Sequence, residues 1–284
     1  MVRQRSAKPL FAGSIPAVAS IPVPRDFNFI GTVESHGWYR LAPFRWKKPF
    51  LRRIELLGGV PCDLTITHRK NALVITGAQD SAELRAKITR MFQLGVDLSE
   101  FHEKARTSAA HEWAARERFG RLLCGATLFE DAVKIILTTN TMWRQTVRMS
   151  ELLVAKCGRD GAFPEPEHIR RFTPEELQAD CRLGYRAKSI HALAATAIEP
   201  CHGTSEECFR SYQRLPGIGP YGSAHLLAMD GRHDYIAVDT EFRRFVRATY
   251  HGGRKVRDAT LVKRYAKWGR WKYLAYWSEL WAEG

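Results

Sequence analysis

The residues best suited to chemistry lie between Gln213 and Arg244. Leu215-Pro216-Gly217-Ile218-Gly219-Pro220-Tyr221 reads as a tight turn between two helices, residues 205–213 and 221–229. Glycines at 217 and 219 allow positive φ at no steric cost. Their amides, with those opening the next helix, can bind an anion at the positive end of the helix dipole. The chain carries a formal net charge of +14, so the anion to expect is a nucleic-acid phosphate. Beyond the turn stands Asp239, one acid after the apolar run Ile236-Ala237-Val238 and at the mouth of another helix. A carboxylate so placed can stabilise a developing positive charge and activate water. Each feature alone has a plainer meaning: a helix–helix turn, and a helix N-cap.

Together the two features resemble the helix-hairpin-helix (HhH-GPD) DNA glycosylases, which carry LPG-hydrophobic-G followed by V-D. The resemblance covers residues 27–284, is strongest over 183–246, and points to the 3-methyladenine DNA glycosylase II / 8-oxoguanine glycosylase branch. It implies that the enzyme extrudes a damaged base from double-stranded DNA and cleaves its glycosidic bond. Asp239 becomes the catalytic residue, and Gly217, Ile218, Gly219 and Tyr221 the phosphate grip. Members with lyase activity carry a lysine where this chain has Tyr221, and a phenol cannot form the Schiff base. A monofunctional, water-using glycosylase is therefore expected, with Tyr221 stacking on the base. Ile136-Leu137-Thr138-Thr139-Asn140 resembles the segment whose polar residue enters the DNA stack, so Asn140 is an intercalation candidate and equally a cap for the helix that Trp143 opens. Trp143 joins the pocket or intercalation set. Leu183-Gly184-Tyr185-Arg186-Ala187-Lys188 resembles the family's link ahead of the hairpin, with Gly184 as a helix C-cap and Arg186 and Lys188 near the DNA backbone or merely solvated.

The resemblance also implies a structural K+ or Na+ held by the backbone carbonyls of Gln213, Leu215 and Ile218. Some relatives bind an iron–sulfur cluster through four cysteines after the catalytic acid. Here no cysteine follows Asp239, so no cluster and no required cofactor are expected. Tyr221 favours an alkylated purine as the lesion, whereas ILTTN and LGYRA lean to an oxidised purine of the 8-oxoguanine type; the alkylated purine is preferred. The rival is a non-catalytic hairpin protein that only grips DNA, and the acid at 239 argues against it.

The elements that must position these residues divide the chain into three. Residues 1–20 read as a disordered leader. Gly13-Ser14-Ile15-Pro16 is what a common transfer-RNA T-arm sequence would encode in this frame, so a second reading makes the leader non-native. Residues 21–105 alternate polar and apolar, with strands expected at 27–33, 39–46, 51–57, 64–67 and 72–76 and a helix at 82–93 capped by Ser81. Residues 106–284 read as helical, at 109–119, 129–138, 143–156 and onward, with Thr173-Pro174 starting another helix. The fold class is thus α+β: a small antiparallel sheet, then an all-α region. In the last segment Trp268, Trp271, Tyr273, Tyr276, Trp277 and Trp281 are read as core, one of them reaching the pocket.

Lys plus Arg outnumber Asp plus Glu by 44 to 30 along the whole length, and 45% of residues are hydrophobic. That composition fits a basic surface over substantial cores. No apolar run reaches the length of a membrane span. Six scattered cysteines without a CxxC pair are expected to be reduced thiols, with neither disulfide nor zinc. A monomer is expected, cytoplasmic or, in a eukaryote, nuclear.

Overall fold

The computed structural model describes residues 18–282. A five-stranded antiparallel sheet opens the fold: β1 (Val18–Pro22), β2 (Arg45–Lys47), β3 (Phe50–Leu57), β4 (Val60–Arg69) and β5 (Ala72–Thr76), in the order β1-β5-β4-β3-β2. Its alternation is plain in β1 and β5, where every second residue is buried. The pairs Ala19–Ile75, Ile66–Ile75 and Leu51–Ile66 place the apolar set on one face.

Two expected strands are something else. At 27–33 the Asn28 side chain accepts from the Gly31 amide at 2.8 Å and starts a short helix, α1 (Phe29–Val33). Residues 37–40 form a 3₁₀ turn, leaving only β2 as strand. The sheet gains β1 instead, so the expected 1–20 leader is corrected at its end: Val18, Ala19 and Ser20 pair with Thr76, Ile75 and Val74. The rest of that segment, residues 1–17, lies outside the described residues.

Helices follow: α2 (Ala82–Met91), capped by Ser81 as expected, α3 (Ser99–Arg106) and α4 (Glu112–Arg116), shorter than the expected 109–119. Next come α5 (Leu128–Thr138), α6 (Trp143–Cys157), α7 (Pro166–Ile169), α8 (Pro174–Cys181) and α9 (Arg186–Ala194). The hairpin is α10 (Ser205–Tyr212) and α11 (Pro220–Met229), and α12 (Thr240–His251), α13 (Asp258–Lys263) and α14 (Lys272–Ala282) close the chain. Among the described residues no helix is long and apolar enough to cross a membrane.

The expected boundary at 105/106 falls inside α3. Leu98, Phe101 and Ala105 pack with Phe242, Tyr265, Trp268 and Tyr276 in a core built from the C-terminal helices. A second core joins sheet residues such as Leu51, Ile66 and Ile75 to Val133 and Leu226, so sheet and helices share one interior. A buried polar bridge ties them too. Arg53 of β3 donates to Glu130 of α5 at 3.0 Å, and Lys134 to the same carboxylate at 2.7 Å. Burial would push Glu130 up, yet Arg53 and Lys134 hold it down to about 2.

The expectation of reduced cysteines fails at one pair. Cys201 and Cys208 form a disulfide, with Cα atoms 5.4 Å apart. The reason is local: Thr204 and Glu207 make a capping box that folds the incoming loop back on α10. Spacing without a CxxC pair gave no sign of that return. Cys62, Cys124, Cys157 and Cys181 are free.

Candidate active site

A cavity of ≈ 800 Å³ is lined by His36 and Trp38 ahead of β2, by the end of α5 and start of α6, by Tyr221 and His225 of α11, by Ala237 to Glu241 and Arg243, and by Tyr273, Tyr276 and Trp277 of α14. The sequence-expected Asp239, Tyr221, Asn140 and Trp143 all stand on its wall.

Asp239 caps α12, its Oδ1 accepting from the Phe242 amide at 2.7 Å. Burial lifts its pKa above the usual carboxylate value, the Phe242 amide pulls it down, and the lift prevails. The cap and the charge-stabilising role therefore reside in one side chain. Tyr221 leans beside it: burial pushes the phenol up to about 12, the nearby Asp239 charge adds to this, and a bond to Thr138 works against it.

The Asn140 turn is built from three elements. Asn140 has φ +47°, and the guanidinium of Arg186 on α9 donates to the carbonyls of Thr139 and Asn140. Arg186 is thus a buried brace, a correction to its expected exposed role, while Lys188 is exposed. The Asn140 Nδ2 donates to the Tyr185 hydroxyl at 3.2 Å. Tyr185 and neighbouring Met142 are 58% and 63% exposed. Asn140 does not cap α6, whose N-cap is Met142 without a side-chain bond. Trp143 packs so closely on Gly37 that a Cβ there would lie 2.3 Å from its ring.

In the hairpin Gly217 takes φ +78°. The expectation of positive φ at both glycines is corrected at Gly219, the N-cap of α11, with φ −95°. The four-residue phosphate grip is corrected at Ile218, whose amide already donates to the Leu215 carbonyl at 3.0 Å and whose side chain is buried. The expected C-cap at Gly184 falls instead on Arg182, in the left-handed region with φ +56°, and Gly184 repeats that conformation before α9. Among the described residues no cluster of three or more His, Cys, Asp or Glu is placed to hold a metal ion.

Three cavity residues escaped the sequence reading. Trp38 is fixed by its Nε1–H, which donates to buried Asp131 at 2.8 Å. His36 and His225 stack on it, with ring centroids 4.7 and 5.3 Å away. A signal existed for His225, four residues after Tyr221 on one helix face. Ser35-His36-Gly37-Trp38 has none beyond its composition. Among the C-terminal aromatics Tyr273, Tyr276 and Trp277 all reach the cavity, where one was expected.

The site thus joins a hairpin turn, an acid at the mouth of the following helix and an aromatic cavity. The profile described as "HhH-GPD superfamily base excision DNA repair protein" matches residues 133–270. The matched region, residues 133–270, is that of a helix-hairpin-helix base-excision DNA repair protein. The fold is shared with MBOgg1, solved with a low affinity DNA ligand (TM-score 0.75, 18% identity, 94% of this chain and 96% of that one). It is also shared with 3-methyladenine DNA-glycosylase from Archaeoglobus fulgidus (0.74, 18%, 93% and 98%). A third is the 8-oxoguanine glycosylase/lyase of Clostridium acetobutylicum with DNA (0.70, 15%, 91% and 92%). No curated protein matches the sequence.

Proposed function

We propose that this glycosylase is monofunctional and acts on an alkylated purine in double-stranded DNA, as a single copy. One observation carries the reading: Asp239 and Tyr221 face the same aromatic cavity, and among the described residues no lysine lines it. Without an amine there is no Schiff base to cleave the strand. The ionised Asp239 stabilises the oxocarbenium-like sugar and directs water to it. Aromatic faces favour a cationic alkylated base by cation–π attraction. The amides of Gly217, Gly219 and Tyr221 hold the backbone phosphate. The carbonyls of Gln213, Leu215 and Ile218 hold a K+ or Na+ ion; Leu215 keeps one lone pair for it beside its bond to Ile218. Asn140, with exposed Met142 and Tyr185 beside it, fills the gap left by the extruded base.

The experiment is a base-release panel on duplexes carrying alkylated, oxidised and deaminated bases, with borohydride trapping in parallel. Release of an alkylated purine without a covalent adduct is expected. Efficient trapping would overturn the monofunctional reading. Preferential release of 8-oxoguanine would move the protein to the oxidised-purine reading, which the fold shared with the Clostridium acetobutylicum enzyme supports equally.

A further inference from the structure

The cavity wall holds a group of buried polar atoms that the chemistry at Asp239 leaves unused. Neither ring nitrogen of His225 has a hydrogen-bond partner, nor does His36 Nε2, nor the Tyr273 hydroxyl. All three side chains are at least nine-tenths buried and line the same cavity. Their rings adjoin: His36 and His225 lie 6.1 Å apart, and His225 and Tyr273 6.5 Å. Buried polar groups are normally paired, and an unpaired one costs free energy. Three together in a binding cavity call for a partner in the occupied state.

Burial keeps His225 neutral, holding it down to about 4, and holds His36 well below its ordinary value, with His225 and Lys134 adding to the effect. A neutral imidazole offers one donor and one acceptor. The Ser35 hydroxyl lies 3.0 Å from His36 Nδ1 and accepts from the Leu123 amide at 3.1 Å. The hydroxyl can donate in turn to Nδ1, and in that tautomer the proton of His36 stands on Nε2 as an unpaired donor. Burial keeps the Tyr273 phenol protonated, a second donor. His225 adds one donor and one acceptor. In that tautomer the wall turns three donors to the cavity, from His36, His225 and Tyr273, beside the acceptors of one His225 nitrogen and the Tyr273 oxygen.

We propose that His225, His36 and Tyr273 are the specificity-determining residues of the base pocket, and that they select a guanine-derived base over an adenine-derived one. Guanine carries the O6 acceptor where adenine carries an N6 amino donor. The donor-rich wall satisfies the first and opposes the second. The positions are fixed from behind, since Trp38, on which both imidazoles stack, is anchored to Asp131. The inference rests on the glycosylase reading of the same cavity and deepens it.

The test compares single-turnover release of 7-methylguanine and 3-methyladenine from matched duplexes. The wild type is compared with His225→Phe, His36→Phe and His225→Gln. Binding to a duplex with a tetrahydrofuran abasic analogue reports on folding and the DNA grip. The wild type is expected to prefer the guanine lesion by about 10-fold or more, and each Phe variant to lose about 10-fold in that ratio, the worth of a hydrogen bond or two. Abasic-analogue binding stays within about twofold, because that ligand has no base to read. His225→Gln, which can still donate and accept, recovers part of the ratio. A wild-type preference for the adenine lesion, or an unchanged ratio in both Phe variants, overturns the assignment. Release of neither base while abasic DNA is bound overturns the alkylated-purine reading along with it.

Discussion

Asp239 carries two duties with opposed demands. As a cap it welcomes negative charge at the start of α12. As a buried carboxylate it resists ionisation, and its pKa is raised, burial being the main cause. A raised carboxylate pKa means that the fold prefers the protonated form. Stability is then lost as pH climbs from the unfolded-state value through the raised folded one, so at pH 7 the carboxylate bears on the fold as a cost. Asn caps a helix about as well as Asp and bears no charge. Asp239→Asn is therefore expected to melt above the wild type at pH 7 while losing at least about 10²-fold in base release. Thermal melts and single-turnover kinetics on one preparation check both halves; a variant that melts lower at pH 7 would refute the argument. The same tension explains why Asp239 was legible in the sequence. An acid ending an apolar run goes against patterning, and it lies close in sequence to the hairpin that gives it context. His36 and Trp38 conform to patterning where they stand. Only the fold brings them, from far upstream, to the rings of α11.

Between elements, the hairpin turn separates two glycines that look alike in the sequence. Gly217 sits at φ +78°, and a Cβ there would lie 2.7 Å from the Ser189 side chain of α9. Gly219 has an ordinary φ, and a Cβ would meet nothing within 4 Å. Gly217→Ala is expected to cost about 1–3 kcal/mol of stability, from backbone strain and the clash with α9. Gly219→Ala leaves the fold alone but puts a methyl group where a phosphate must approach the α11 amides. It should weaken binding to abasic DNA at an unchanged melting temperature. Urea titrations and binding isotherms at fixed salt separate the two, and equal effects from both changes would show the glycines doing one job. Turns of this kind are readable because glycine marks them. The 27–46 segment was not, because alternation at Phe27 and Phe29 suits a strand as well as a one-turn helix. A single side-chain cap from Asn28 decided between them.

At the scale of the whole molecule, the burial of ionisable groups sets a pH limit that no local pattern reveals. His36, His225 and His233 are buried and neutral; burial holds His225 down to about 4, His233 down to about 3 and His36 well below its ordinary value. Composition counts ten histidines and says nothing of where they lie. In the unfolded chain each titrates near 6.5. A depressed folded pKa means stability that is complete above the unfolded value and is lost as pH falls toward the folded one. Each such histidine can withdraw up to about 1.4 kcal/mol per pH unit over that window. Three acting together can withdraw about 4 kcal/mol per unit, a large share of the 5–15 kcal/mol typical of a folded protein. Asp230 and Asp239, both raised mainly by burial, work in the opposite sense. Glu130, held down to about 2, takes no part in this window. The urea midpoint is therefore expected to fall steeply between pH 7 and pH 5. His233 stacks on Trp271 and Tyr273 without itself lining the cavity, so changing it replaces no side chain of the cavity wall. His233→Phe keeps the stacked ring and removes one titration, and should flatten the slope by up to about 1.4 kcal/mol per pH unit. A wild-type midpoint as high at pH 5 as at pH 7 would mean that these histidines reach water before they charge.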